Sequence, residues 1–376
     1  MVYPEISVLP DARFSCFFPA GKAKAAKPVG ISIAGPSGKV LFRGEAAYGE
    51  EAFFSIIEPS EGTYIISANG QKRKFIWYHG RLANLDKSLE AMRGNVRAGS
   101  DSAFWLPALA LHVRNIRQGY RLMHQQDQDR TADPAYILAE FTEAEKIASA
   151  SSSNDFSKLD KPGVSERAFY STVDDTLCPY TLYLPRRYFA SKKPQPLILY
   201  LHGSNGTQWE LVRTFTYLKQ DINTLILPAV VPFGRGNSWY VDAAEKDLVQ
   251  LLTILAERYR IDTAQLAVSG FSMGGMGTMN LVCDYPRMFA VAAPMAFAFP
   301  WEFRESEKVK HRDLPPDLRP RFILMHSPQD STVDIKYARS VEAALKERNV
   351  LCEFITYDKG HEVYPKAIQV FNRLFK

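Results

Sequence analysis

The chain has 376 residues, too many for one ordinary domain and enough for two or three. Lys and Arg number 46 against 41 Asp and Glu, a net charge of +5, with no dense basic block. That charge balance gives no reason to expect nucleic-acid binding, and 46% hydrophobic residues argue against a disordered chain.

The first residues, MVYPEISVLPDARF, lack a basic stretch followed by an apolar one. Two histories fit: a cytoplasmic protein, or an exported one whose leader has been removed. The longest apolar stretch, residues 289–301, is broken by Pro294 and Pro300 and is shorter than the roughly 18 residues a membrane span needs. No membrane partner is expected. The four cysteines, Cys16, Cys178, Cys283 and Cys352, are scattered, so they are expected as buried thiols rather than a disulfide framework or a zinc site.

Residues 1–80 read as strands. Val29, Ile31 and Ile33 alternate with small or polar residues, and Gly35-Pro36-Ser37-Gly38 forms a turn. Asn69-Gly70 between two strand-like runs is a hairpin signal. Six or seven short strands in this length predict a small β-sandwich accessory domain. Residues 81–160 change period. Leu106, Leu109, Val113, Ile116, Tyr120 and Met123 step by three and four. Asp133-Pro134 reads as a helix N-cap followed by proline, with Ile137, Phe141, Ala144 and Ala148 on one face. Residues 148–163 have the composition of a linker.

Residues 161–376 alternate strands and helices. Strands are expected at 181–184, 197–201, 224–227, 266–269, 322–325 and 352–357, with helices near 241–259, 276–283 and 334–348 and at the end. The run Leu197-Ile198-Leu199-Tyr200-Leu201 suits a strand covered on both faces. The alternation predicts an α/β unit, a mainly parallel sheet with helices on both sides.

Gly270-Phe271-Ser272-Met273-Gly274-Gly275 sits between an expected strand and an expected helix, the setting of a nucleophile elbow. Small residues two before and two after the serine leave room for a tight turn. A serine hydroxyl needs a base, and the base an orienting carboxylate, in the chain order Ser, Asp or Glu, His. His361, on a turn after the last strand, is preferred over His326. Asp330, on the loop after the preceding strand, is preferred over Asp334, which suits a helix start, and over Asp358. The oxyanion requires two backbone N–H groups. Met273 N–H is one, and Ser204 N–H, in His202-Gly203-Ser204-Asn205-Gly206, is the other. Asn205-Gly206-Thr207 also matches a glycosylation acceptor, but a glycan there would block the site.

The segments LILYLHGSNG, GRGNSWY, GFSMGG, MHSPQDSTV and DKGHEVY, in this order, resemble the α/β-hydrolase superfamily. Within it they are most similar to feruloyl and acetyl-xylan esterases and polyhydroxybutyrate depolymerases, with prolyl oligopeptidase-like peptidases as relatives. The resemblance covers some 210 residues and leaves out residues 1–160. It implies a serine carboxylesterase acting on feruloyl, acetyl or other carbohydrate-linked or polymeric esters, without metal or other cofactor. The family's acid loop usually reads His-Gly-x-x-Asp, and here Ser327 stands in place of the glycine.

Substrate contacts are expected from Arg235 and Trp239, after one strand, and from Phe297, Phe299 and Trp301, after another. Packing is the competing role for each. A peptidase of the prolyl oligopeptidase type is the alternative activity, but 80 strand-forming residues are too few for its propeller. A catalytically silent binding protein is the other. The N-terminal domain is open to a carbohydrate contact, through Trp77 and Tyr78, or to a dimer contact.

Overall fold

A computed structural model of the protein describes residues 5–8, 13–17, 28–47, 51–56, 60–68, 71–124, 133–299 and 314–375. The chain divides into two compact units, Met1–Leu159 and Asp160–Lys376.

The first unit opens with seven strands: β1 Glu5–Val8, β2 Arg13–Phe17, β3 Val29–Ala34, β4 Val40–Ala46, β5 Glu51–Ser55, β6 Gly62–Ala68 and β7 Gln71–Trp77. They form two antiparallel sheets, ordered β1-β2-β5 and β4-β3-β6-β7. The alternation in β3 does what it predicts, since Val29, Ile31 and Ile33 are all buried. Strands β6 and β7 pair from Gly62↔Trp77 to Ala68↔Gln71. The hairpin residues themselves, Asn69 and Gly70, lie outside the described residues.

Three helices follow, α1 His79–Asn95, α2 Asp101–His124 and α3 Pro134–Ser153. Leu109, Val113 and Ile116 of α2 are buried, as are Ile137, Phe141, Ala144 and Ala148 of α3. Asp133 caps α3 by accepting Ala135 N–H at 2.8 Å. Strands and helices share one unit rather than standing as separate segments. Tyr78 N–H donates to the Tyr120 hydroxyl at 3.0 Å, and Arg81 pairs with Glu145 at 2.7 Å while lying over the Tyr78 and Phe141 rings. The side chains of Trp77 and Tyr78 pack on His79 and Phe141.

The expected linker starts too early. Residues 148–153 are the last turns of α3, closed by Asn154 in the left-handed region. Ser152 and Ser153 donate their hydroxyls to the carbonyls of Ala148 and Ser149. That back-bonding satisfies serine inside a helix, so a serine-rich tail need not be a linker.

The second unit contains β8 Gly163–Tyr170, β9 Leu177–Leu184, α4 Arg186–Ala190, β10 Gln195–Leu201, α5 Glu210–Tyr217, β11 Ala229–Pro232, α6 Ala243–Arg258, β12 Ile261–Phe271, α7 Met273–Asp284, β13 Val291–Met295, β14 Arg321–His326, α8 Lys336–Glu347, β15 Cys352–Thr356 and α9 Ala367–Phe371. Its eight-stranded sheet runs β15-β14-β13-β12-β10-β11-β9-β8. The pairs from β11 through β10 to β15 are parallel, and β9 joins antiparallel to both β11 and β8. The predicted mainly parallel α/β sheet is therefore observed, and the apolar run in β10 is buried throughout. Strand order reverses at β10, whose neighbours β11 and β12 lie on opposite sides. The carboxyl ends of β10 and β12 lie side by side there, the place where sheets of this kind bind ligands.

The strand expected at 224–227 is absent. Asp221 caps a short 3-10 turn, Ile222–Thr224, and the chain enters the sheet only at Ala229. Leu225 and Leu227 are buried as core side chains without extended pairing. At the other edge Arg167, on β8, is buried; its guanidinium meets Asp160 at 2.8 Å, the Tyr259 hydroxyl at 2.5 Å and Ser165 Oγ at 3.0 Å.

Candidate active site

The turn from β12 into α7 holds Ser272 at φ 55°, ψ −117°, a conformation that a side chain rarely adopts. Ser272 N–H donates to Met295 O at 3.0 Å, and its carbonyl accepts Met276 N–H at 3.0 Å. Both flanking glycines are required by contact. A Cβ on Gly270 would sit 2.5 Å from the Gly274 backbone, and one on Gly274 would sit 2.0 Å from Leu201 O.

Ser272 Oγ lies 2.9 Å from His361 Nε2, and His361 Nδ1 lies 2.8 Å from Asp330 Oδ2. The other carboxylate oxygen, Asp330 Oδ1, accepts Thr332 N–H and Val333 N–H, each at 2.9 Å. Asp330 is buried, whereas the His361 side chain is 20% exposed. The Phe271 ring packs beside the imidazole, with centroids 4.8 Å apart. Ser272, His361 and Asp330 follow β12, β15 and β14 respectively, so three loops at one end of the sheet bring together residues far apart in sequence. Asp334 is exposed and accepts Lys336 N–H at 2.8 Å, a helix-start role.

His326 is fully buried; its Nε2 bonds Val333 O at 2.9 Å and lies 3.5 Å from Asp330 Oδ2. Burial pushes its imidazole below the ordinary 6.5, against the opposing effect of the hydrogen bond to Val333. The sign follows from proton binding. The unfolded chain takes up this proton first as pH falls, so the associated stability is full above 6.5 and is lost as pH drops below it. Between about pH 7 and about pH 5, urea unfolding is expected to show the parent losing more stability than His326→Asn, by at most about 1.4 kcal/mol per pH unit. Parallel losses in the two proteins would refute this.

The loop after β10 passes against the nucleophile, since a Cβ on Gly203 would be 3.7 Å from Ser272 Cβ. The ring nitrogens of His202 lie 2.8 Å from Gly203 O and 2.8 Å from Phe233 O, and the Tyr240 hydroxyl donates to His202 O at 3.0 Å. Asn237 Oδ1 accepts Asn205 N–H at 2.7 Å, and Asn237 Nδ2 donates back to Asn205 Oδ1 at 2.8 Å. Asn237 thus links the loop after β11 to the loop that carries Ser204. It was not singled out in sequence because an asparagine between glycine and serine reads as turn chemistry.

The expected substrate residues fare differently. Arg235 is bound within the protein: Nε meets Asp247 at 2.6 Å, Nη1 meets Asp174 at 2.7 Å and Nη2 meets Ser171 Oγ at 3.0 Å. These bonds raise the guanidinium pKa still further and pull Asp174 well below the usual carboxylate range. Arg235 is therefore a loop anchor rather than a free substrate contact. Phe297 is fully buried and packs near the His326 ring, and Phe299 is buried too, so neither shows a face to a ligand. Trp239 is half-buried, with φ 59°. Trp301 lies outside the described residues. Cys178 is buried and free, its thiol pushed up to about 12 by burial.

Sheet order and the strand–Ser–helix turn define the second unit as an α/β-hydrolase fold. Residues 176–319 match the Esterase family model. No curated protein matches the chain by sequence. Among solved structures, the fluorophosphonate-binding serine hydrolase F of Staphylococcus aureus is similar over 56% of this chain and 99% of its own, at 17% identity and TM-score 0.47. A ferulic acid esterase of Anaeromyces mucronatus is similar over 58% of this chain and 91% of its own, at 17% identity and TM-score 0.44. An S-formylglutathione hydrolase of Agrobacterium tumefaciens covers 56% and 92%, at 16% identity and TM-score 0.44.

Proposed function

We propose that this protein is a serine carboxylic-ester hydrolase working through an acyl-enzyme on Ser272. The observation that carries the reading is the continuous line from Ser272 Oγ through His361 to Asp330, with steps of 2.9 Å and 2.8 Å. His361 Nε2 takes the hydroxyl proton as Oγ attacks the ester carbonyl carbon. The charge that develops on the carbonyl oxygen is met by Met273 N–H and Ser204 N–H. The neighbouring Asn205 N–H is committed to Asn237, which supports Ser204 as the donor from that loop. His361 then passes the proton to the leaving alcohol as the C–O bond breaks. In the second half it deprotonates water, which attacks the acyl carbon, and returns the proton to Ser272 as the acid leaves. Asp330 holds Nδ1–H, fixes the tautomer and stabilises the imidazolium.

The substrate class is proposed from the resemblance of the motif segments: feruloyl, acetyl or related carbohydrate-linked or polymeric esters. A panel of p-nitrophenyl acetate, p-nitrophenyl butyrate, methyl ferulate and acetylated xylan ranks them. The reading itself is tested with a fluorophosphonate probe. Mass spectrometry is expected to find one phosphonyl adduct, on the peptide containing Ser272. A folded protein that stays unlabelled, or carries its adduct on another serine, would overturn it.

A further inference from the structure

The register of β14 with β15 ends at His326↔Thr356. Beyond it the two chains separate into turns, one carrying Asp330 and the other His361. Besides the Asp330–His361 contact, the buried Ser327 side chain bridges those turns. The Ser327 hydroxyl donates to the Lys359 carbonyl. The same oxygen accepts Lys359 N–H at 3.3 Å and Gln329 N–H at 3.1 Å. It therefore binds both turns at once, donating one hydrogen bond and accepting two. Asp330 N–H also donates to the Ser327 carbonyl at 3.2 Å, so the acid's own backbone is referenced to this residue.

Proximity along the chain makes the connection matter. Lys359 precedes His361 by two residues, and Ser327 precedes Asp330 by three. A glycine, which the resembling esterase loop carries at this place, offers no oxygen for the bridge. Outside the bridge, the imidazole is held by its two hydrogen bonds and by the Phe271 ring, with one side partly open to solvent. Turns that swing apart by a fraction of an ångström lengthen the Nδ1–Oδ2 contact and turn Nε2 away from Ser272.

We infer that Ser327 is a positioning residue that sets the separation of His361 from Asp330. The inference rests on the acyl-enzyme reading above for its effect on turnover, though not for its effect on geometry. The variants are Ser327→Ala and, as a second in case the first does not fold, Ser327→Gly. Turnover of p-nitrophenyl acetate is expected to fall on the order of ten- to a hundred-fold. KM is expected to stay within about two-fold, because the acyl and alcohol contacts are untouched. In the resting enzyme the far-downfield proton resonance of His361 Nδ1–H, shared with Asp330, is expected to shift or disappear. Parent-like kcat with an unmoved resonance in either folded variant overturns the inference, as does a rise in KM alone. The resonance reads the geometry without any substrate. Normal turnover by Ser272→Ala would sink the acyl-enzyme reading and leave a shifted resonance in the Ser327 variants still standing for the bridge.

Discussion

Asp330→Asn is expected to lower kcat on p-nitrophenyl acetate by about 10⁴-fold while leaving the protein folded. The reason lies in how the two carboxylate oxygens are used. Oδ1 accepts two backbone N–H groups, from Thr332 and Val333. An asparagine keeps those bonds by placing its carbonyl oxygen there. Its amide then faces His361 Nδ1, which must accept rather than donate. The proton moves to Nε2, and Nε2 can no longer accept from Ser272. Removing the nucleophile in Ser272→Ala is expected to cost at least as much. Steady-state kinetics with thermal melts decides it. An Asp330→Asn enzyme within ten-fold of the parent would shift the acid to Asp334 or Asp358.

Gly274→Ala has the largest expected effect on stability. Its new methyl carbon would meet Leu201 O at 2.0 Å, Leu201 C at 2.6 Å and His202 O at 2.8 Å. All three are backbone atoms of β10 or its loop, which no side-chain rotation can clear. Helix α7 must lift from the sheet, at a cost of about 3 kcal/mol or more. A drop in melting temperature of roughly 6–12 °C is expected. Because α7 also positions Met273 N–H, activity is expected to fall with it. Gly94→Ala is the control. It lies in α1 with nothing within 4 Å of the added carbon, and alanine there is expected to be neutral or slightly stabilising. Equal melting of Gly274→Ala and the parent would refute the contact argument.

Much of this architecture was legible in the sequence because each signal was local. The strand–Gly-x-Ser-x-Gly–helix turn, the apolar run of β10 and the Asp133 cap are read within a few residues, and each takes the expected form. Ser272, His361 and Asp330 were accessible too, since each follows a strand whose side of the sheet is fixed by parallel pairing. Errors fall where partners are distant. Arg235 reads equally as a substrate contact or a loop anchor until Asp174, 61 residues away, and Asp247, 12 residues away, are seen around it. Phe297 and Phe299 read equally as a pocket wall or as packing because aromatic composition carries no record of which face is covered. Residues 224–227 are strand-like in side chains, but Asp221 and Pro228 set the backbone around them. Ser327 was visible only as a departure from a loop pattern; its bridge depends on Lys359, which no local reading connects to it.

The buried guanidinium of Arg167 determines where the second unit can be severed from what precedes it. Its acidic counterpart, Asp160, is the first residue of that unit. A fragment designed to begin at strand β8 would look tidy and would strand a positive charge in the interior without its anion, a defect worth about 3–5 kcal/mol. The proper place for a protease site or a fusion junction is upstream of residue 160.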